Sequence, residues 1–344
     1  MSAPAASLVE SAAVLAPSPS PSPSPSPTLG PPHRGPSRAL VLTAYATLYV
    51  VWGSTYLAIR IAVESWTPLL LAATRFAIAG GGLYAVLRAR GAPTPGRRAW
   101  LAAVLVGGLM LAGGNGTVCW AEQWVPSGET SLILASGALW MVVLPWWTGR
   151  APAPRAVVLV GVLVGMAGVA LLMGGGHATD AAATLGGRAS PLGRVALLAA
   201  SLSWVIGSLL SRRLPLPESV ALASAMEMIV ASPILFLVAG LRGEWTTFHL
   251  NAVTAAGWGA LGYLIVFGSL AGFGSYIFLL VHEGPARAST NAFVNPLIAV
   301  ALGAALAAEP VGPRTFVAAG MIVAAVGAVI LGSSASPRAR RDRS

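Results

Sequence analysis

The chain has 344 residues, 56% of them hydrophobic and only 9% charged, with a formal net charge of +10. A soluble domain carries about 25% charged residues, so this composition excludes one and places the chain in a lipid bilayer. The positive balance is all arginine, set in breaks and tails without the basic face or aromatic-interleaved patch of a nucleic-acid binder.

Residues 1–38 open the chain as an Ala, Ser and Pro segment in which Pro17 to Pro27 alternates Pro with Ser. It cannot bury enough apolar surface to offset the entropy of ordering, so a disordered tail is expected; a ligand for a proline-reading module is the alternative. No basic residue precedes its weakly apolar stretch, which argues against a signal peptide. From Ala39 on, apolar runs of the length that crosses a hydrocarbon core, about 20 residues, alternate with short breaks marked by Pro, Gly or Arg. They fall at 39–59, 68–87, 99–121, 128–147, 155–175, 192–210, 218–240, 253–280, 286–308 and 313–332. Residues 333–344 form a basic tail. Cys119 is the only cysteine, so no intramolecular disulfide is possible.

The runs repeat. Gly113, Pro126, Pro154, Arg155, Gly161 and Gly168 return 159 positions later as Gly272, Pro285, Pro313, Arg314, Gly320 and Gly327. Earlier in each half the offset is 152, pairing Trp52 with Trp204, Leu57 with Leu209 and Arg60 with Arg212. One register held over several helices marks a duplication, giving a first five-helix unit at 39–175 and a second at 191–332. Five is odd, so the second copy enters the membrane from the opposite side. The expected fold is therefore an all-α membrane protein, ten transmembrane helices as two inverted five-helix repeats around a central cavity. Two facing copies of one fold give inward-open and outward-open states of similar energy, the arrangement of alternating access.

Basic loops stay in the cytoplasm. With the N-terminus inside, the arginines within 34–38, 88–98, 150–155, 212–213, 287 and 338–343 are cytoplasmic. The outer breaks then hold only Arg60, Arg188, Arg194, Arg242 and Arg314. Both termini are expected inside, with the protein multi-pass in the cell membrane.

The motifs Trp52-Gly53-Ser54, Thr74-Arg75-Phe76 and Asn115-Gly116, the string from Ala121 to Gly128 (AEQWVPSG), and Asn295-Pro296-Leu297 together resemble the EamA-type branch of the drug/metabolite transporter superfamily. The resemblance covers about Ala39 to Leu331, and the AEQWVPSG string is its most specific part. It implies ten helices in two inverted repeats, a central cavity, and export of amino acids, other metabolites or drugs. The Pro/Ser tail departs from it, outside the bundle.

Arg75 and Glu227 are the formal charges deep in apolar runs, at matching positions under the 152 offset. A charge at mid-membrane costs about 2.5–3.5 kcal/mol, so each needs a partner or a wet cavity. Either they form a structural pair across the pseudo-twofold axis, or they bind substrate or protons. Trp52, Trp120, Trp140, Trp204, Tyr263 and Tyr276 are candidate aromatic walls of the cavity, against a reading as packing or interfacial rings. Asn115, Asn291 and Asn295 hydrogen-bond either a polar solute or neighbouring helices. Glu122, Glu129, His282 and Glu283 lie near helix ends, where charge is cheaply solvated. His282 and Glu283, with Glu227, are candidates for proton coupling.

Several catalytic patterns fail. The run from Gly257 to Gly262 fits a dinucleotide fingerprint as a string but lies inside an apolar run, where it reads as a packing face. The sequence has no lysine for a phosphate loop or Schiff base, and its four histidines are scattered. No catalytic residue, cofactor or metal is expected. The leading function is a secondary transporter exporting small organic solutes, driven by the proton gradient or by exchange. An uptake permease of the same fold and an integral-membrane enzyme are the rivals. Its partners are a small-molecule substrate and the bilayer, with no nucleic acid; monomer and homodimer both stay open.

Overall fold

The computed structural model describes residues 36–173, 190–288, 290–309 and 311–334. Nearly all of the expected N-terminal tail, most of the break after the fifth run and nearly all of the basic C-terminal tail lie outside the described residues. From Arg38 on the described chain is helical. Its long helices are α1 (Arg38–Ala62), α2 (Pro68–Ala89), α3 (Arg97–Ala121), α4 (Ser127–Trp147), α5 (Ala156–Met173), α6 (Pro191–Ser211), α7 (Val220–Leu241), α8 (Ala255–His282), α9 (Asn291–Leu306) and α10 (Pro313–Ser334).

Among the described residues, seven of these are long and apolar enough to cross a membrane: α1 to α4 and α6 to α8. The apolar stretches in the other three, Ala156–Leu171, Val294–Leu306 and Pro313–Val329, are shorter. The chain is thus a multi-pass helical membrane protein.

Local chemistry sets the helix ends. Pro68 and Pro191 occupy first-turn positions, where their missing N–H costs nothing. Thr254 and Ser219 cap α8 and α7 by accepting from Gly257 N (3.0 Å) and Leu222 N (3.4 Å). Beyond α2 and α7 the chain leaves through Gly91 (φ 86°) and Gly243 (φ 76°), left-handed conformations that glycine adopts without a Cβ clash. These two glycines are themselves 152 positions apart.

Packing follows the register of the sequence repeat. α2 packs on α7, α5 on α10 and α4 on α9, each a helix against its repeat counterpart. α3 packs on α6 as α8 packs on α1. Gly161 and Gly165 on α5 approach Ala328 and Ala325 on α10, so their small-residue face is used inside the chain. The Gly257–Gly262 run is a packing face only at its start: a Cβ at Gly257 would come 2.2 Å from Ser65 Oγ, whereas Gly259 and Gly262 meet nothing within 4 Å.

Candidate functional site

Backbone irregularity within lipid is tolerated only where it is buried in protein or lines a cavity, because hydrocarbon cannot satisfy freed amide groups. Three long helices break their regular winding part-way along their length. α3 is π-helical over Gly108–Gly116, α8 over Leu264–Phe273, and α4 loosens between Leu134 and Gly137. Side chains take up what the π segments release. Ser203 Oγ on α6 donates to Leu109 O (2.7 Å), and Trp52 Nε1 on α1 donates to Gly268 O (3.4 Å). Leu109 and Gly268 are 159 positions apart, so the same carbonyl of each repeat is served by the equivalent neighbouring helix.

These irregular segments surround a cavity of about 140 Å³. One water occupies about 10–15 Å³ on that measure, so there is room for several waters or part of a small solute. Its aromatic wall is a cluster. Trp52 stacks on Tyr276 with centroids 5.0 Å apart, Trp204 meets Tyr276 at 5.5 Å, and Phe273 meets Trp204 edge-on at 6.1 Å. Tyr276 Oη shares a 2.9 Å hydrogen bond with Ser208 Oγ. Glycine makes the cluster possible. A Cβ at Gly272 would sit 2.5 Å from Trp52 Nε1, and one at Gly114 would sit 3.1 Å from the Trp204 ring.

Arg75 supplies the polar wall. It lies two turns into α2 and is 3% exposed. Its Nε donates to Ser269 Oγ (2.7 Å) and its Nη1 to Asn115 Oδ1 (3.3 Å), so one guanidinium ties both π segments together. A Cβ at Gly268 would come 2.9 Å from Nη2. The ion pairs among the described residues are Arg194–Glu129 and Arg287–Glu283, so no carboxylate neutralises Arg75 there. Asn291 and Asn295, on the first turns of α9, complete the lining, and the buried Asn295 Oδ1 has no hydrogen-bond partner.

The structure therefore brings Trp52, Arg75, Asn115, Trp204, Tyr276, Asn291 and Asn295 to one cavity and leaves four expected wall residues outside its lining. Trp120 packs edge-on against Trp124 (4.8 Å), with the Arg242 guanidinium over its ring. Trp140 keeps a buried, unpartnered Nε1, and Tyr263 Oη hydrogen-bonds Ser54 Oγ (2.6 Å). Glu227 is 1% exposed, and both its carboxylate oxygens lack partners. The Arg75–Glu227 pair expected from the offset is not formed: α7 lies so close to α3 at Gly107 that a Cβ there would be 2.4 Å from Glu227 O. Of the coupling candidates, His282 is exposed and bonds Phe278 O through Nδ1 (2.9 Å), while Glu283 pairs with Arg287 at the surface (2.6 Å).

One end of the bundle is tied together by contacts the sequence did not reveal. Glu309, beyond α9, accepts from Ser127 N (2.9 Å), Ser127 Oγ (2.8 Å) and Gly128 N (3.2 Å) at the start of α4. Glu244, beyond α7, accepts in the same way from Leu69 N (3.0 Å) and Leu70 N (3.2 Å) at the start of α2. In both cases a carboxylate following a second-half helix caps the counterpart helix of the first half, where the partial positive charge of the helix dipole favours it. Glu129 on α4 pairs with Arg194 on α6 at 2.6 Å. Glu122 is fully buried, against the expectation of cheap solvation at a helix end.

Comparison with known proteins agrees with this architecture. The model of the EamA-like transporter family matches residues 40–174 and again 191–331. The chain is 38% identical over 296 residues to "Uncharacterized inner membrane transporter YedA" of Escherichia coli (strain K12), covering 86% of this chain and 92% of the relative. It is 25% identical over 277 residues to "Uncharacterized transporter YvbV" of Bacillus subtilis (strain 168), covering 80% and 85%. A solved structure described as "Crystal structure of protein" shares the fold at a TM-score of 0.58 and 21% identity, over 85% of this chain and 98% of that one.

Proposed function

We propose that this chain, which belongs to the EamA-like transporter family, is a secondary transporter that exports small organic solutes across the cell membrane by alternating access. Amino acids, other metabolites and drugs are the solute classes. The observation that carries this reading is Arg75, a buried guanidinium with no carboxylate partner among the described residues, set on a cavity also lined by the Trp52, Trp204 and Tyr276 cluster. Such a site takes a solute with an acceptor group for Arg75 and apolar surface for the rings.

The two family-model matches and the reciprocal packing of counterpart helices support two inverted five-helix repeats of ten spans in all. The arginine distribution supports cytoplasmic termini, which puts the Ser127 end of the bundle outside. In that frame the outer end is held shut by Glu309 and by the Glu129–Arg194 pair, while Asn291 and Asn295 lie toward the cytoplasmic end of the cavity. Solute enters from the cytoplasm, and rearrangement of the helices around the π segments moves the closure to the other side. Everted membrane vesicles loaded by a panel of labelled amino acids and cationic or anionic drugs test the reading. Accumulation that depends on the chain supports it, and none across the panel with the protein inserted counts against it.

A further inference from the structure

Glu122 stands in the turn between α3 and α4, 0% exposed, with neither carboxylate oxygen hydrogen-bonded. A buried polar group without partners is costly, and a buried charge far more so. The groups around it do not supply a partner. Arg60 on α1 uses Nη1 on the backbone carbonyl of Glu122 (3.3 Å) rather than on the carboxylate. Tyr56, one turn earlier on α1, and Cys119, one turn back on α3, bring only a phenol and a thiol near it. Glu309 adds a second negative charge from beyond α9, and Glu129 is already matched to Arg194 on α6. Burial first, and Glu309 second, hold the Glu122 carboxyl well above the usual carboxylate range, with Arg60 acting against them.

The second observation is what this residue sits beneath. Glu309 ties the end of α9 to the start of α4, and the Glu129–Arg194 pair ties α4 to α6. Tyr56, Ile59, Val118 and Ser131, on the helices nearest Glu122, form the end of the cavity under that seal. Opening this end requires α4 to part from α9, which lets water reach the turn.

We propose that Glu122 is a proton-binding site of the closed state, taking up a proton as the Ser127 end closes over the cavity and yielding it as that end opens to water. The proposal rests on the reading of the chain as an alternating-access transporter. The sign is fixed by the geometry. The closed conformation holds Glu122 neutral and the open one lets it ionise, so acid favours closure and rising pH favours opening.

The test needs no solute. In full-length protein purified in detergent, with Cys119→Ala, a cysteine is placed by Ser131→Cys and its reaction with a maleimide is followed across a pH series. The same thiol in a Glu122→Gln background corrects for the thiol's own titration. The ratio of the two rates should climb with pH by up to about tenfold per unit, as one linked proton requires. A ratio that stays flat would overturn the proposal. Should Glu122→Gln not accumulate, Glu122→Met, a neutral apolar side chain of similar length, takes its place in the same comparison. Because labelling is read without transport, a protein that shows this pH dependence but moves no solute would count against the transporter reading alone.

Discussion

Trp52 on α1 and Trp204 on α6, 152 positions apart, meet edge to face with ring centroids 5.5 Å apart and planes at 83°. Repeat-equivalent residues touching one another mark where the two halves share a wall, and both rings also contact Tyr276. Losing such an aromatic contact costs about 0.5–1.5 kcal/mol beyond buried area. Trp52→Leu and Trp204→Leu should therefore each weaken apparent solute affinity roughly three- to tenfold, with the chain still inserted. Concentration-dependent uptake into everted vesicles measures this; unchanged affinity in both variants would remove the cluster from the site.

Gly272 and Gly268 make room for Trp52 and Arg75, while Gly259 and Gly262 on the same helix face nothing. Gly272→Ala and Gly268→Ala should each destabilise by about 1–3 kcal/mol, the usual cost of overpacking. Gly259→Ala and Gly262→Ala should be neutral or slightly stabilising. Thermal unfolding of the four purified variants compares them directly, and equal effects would contradict the close approach.

Arg75 and Glu227 do not pair, so their substitutions should act independently. Arg75→Gln removes the donors to Ser269 and Asn115 and should abolish transport with modest loss of stability. Glu227→Gln removes a carboxylate that has no partner and should leave accumulation unchanged or improved. In a double-mutant cycle on accumulation the two effects should add; a coupling above about 0.5 kcal/mol would mean that they meet in some other state.

Much of this was legible from the sequence because lipid permits so few solutions. Apolar runs had to be helices, and the recurrence of Gly113 as Gly272 marked the duplication; that both glycines lie in π-helical segments carried no sequence signal. Trp52, Arg75 and Asn115, named as cavity candidates, line the cavity, and Asn115 also meets its alternative, a hydrogen bond to a neighbouring helix through Arg75. Trp120 and Trp140 lie outside the cavity lining, because depth along a helix does not say which face a ring occupies. Glu122 differs from expectation for a related reason: a turn is not always wet, and here the residue is fully buried with Arg60 on its backbone carbonyl. The caps made by Glu309 and Glu244 join segments more than 170 residues apart and carry no local signal.

Those caps can be tested. Glu244→Ala leaves Leu69 N and Leu70 N without their acceptor at the buried start of α2, and should cost about 0.5–2 kcal/mol. Glu309→Ala should destabilise similarly and, in addition, raise labelling of a cysteine at Ser131. A stability loss without raised labelling would make Glu309 a cap and not a latch.

Orientation has its own outcome. Reporter fusions at Gly149 and after Arg213 should read as cytoplasmic, and one at Gly243 as external, as the arginine distribution requires. Reversed readings at two of the three would turn the Ser127 end toward the cytoplasm.

The most direct test of the central claim is flux through the Arg75 cavity itself. Purified protein in liposomes, preloaded with one labelled solute from the vesicle panel, should exchange it for external unlabelled solute, and the Arg75→Gln protein reconstituted at the same density should show only background leak. Exchange that persists at the wild-type rate in Arg75→Gln would contradict the account, because the cavity would then not be the path.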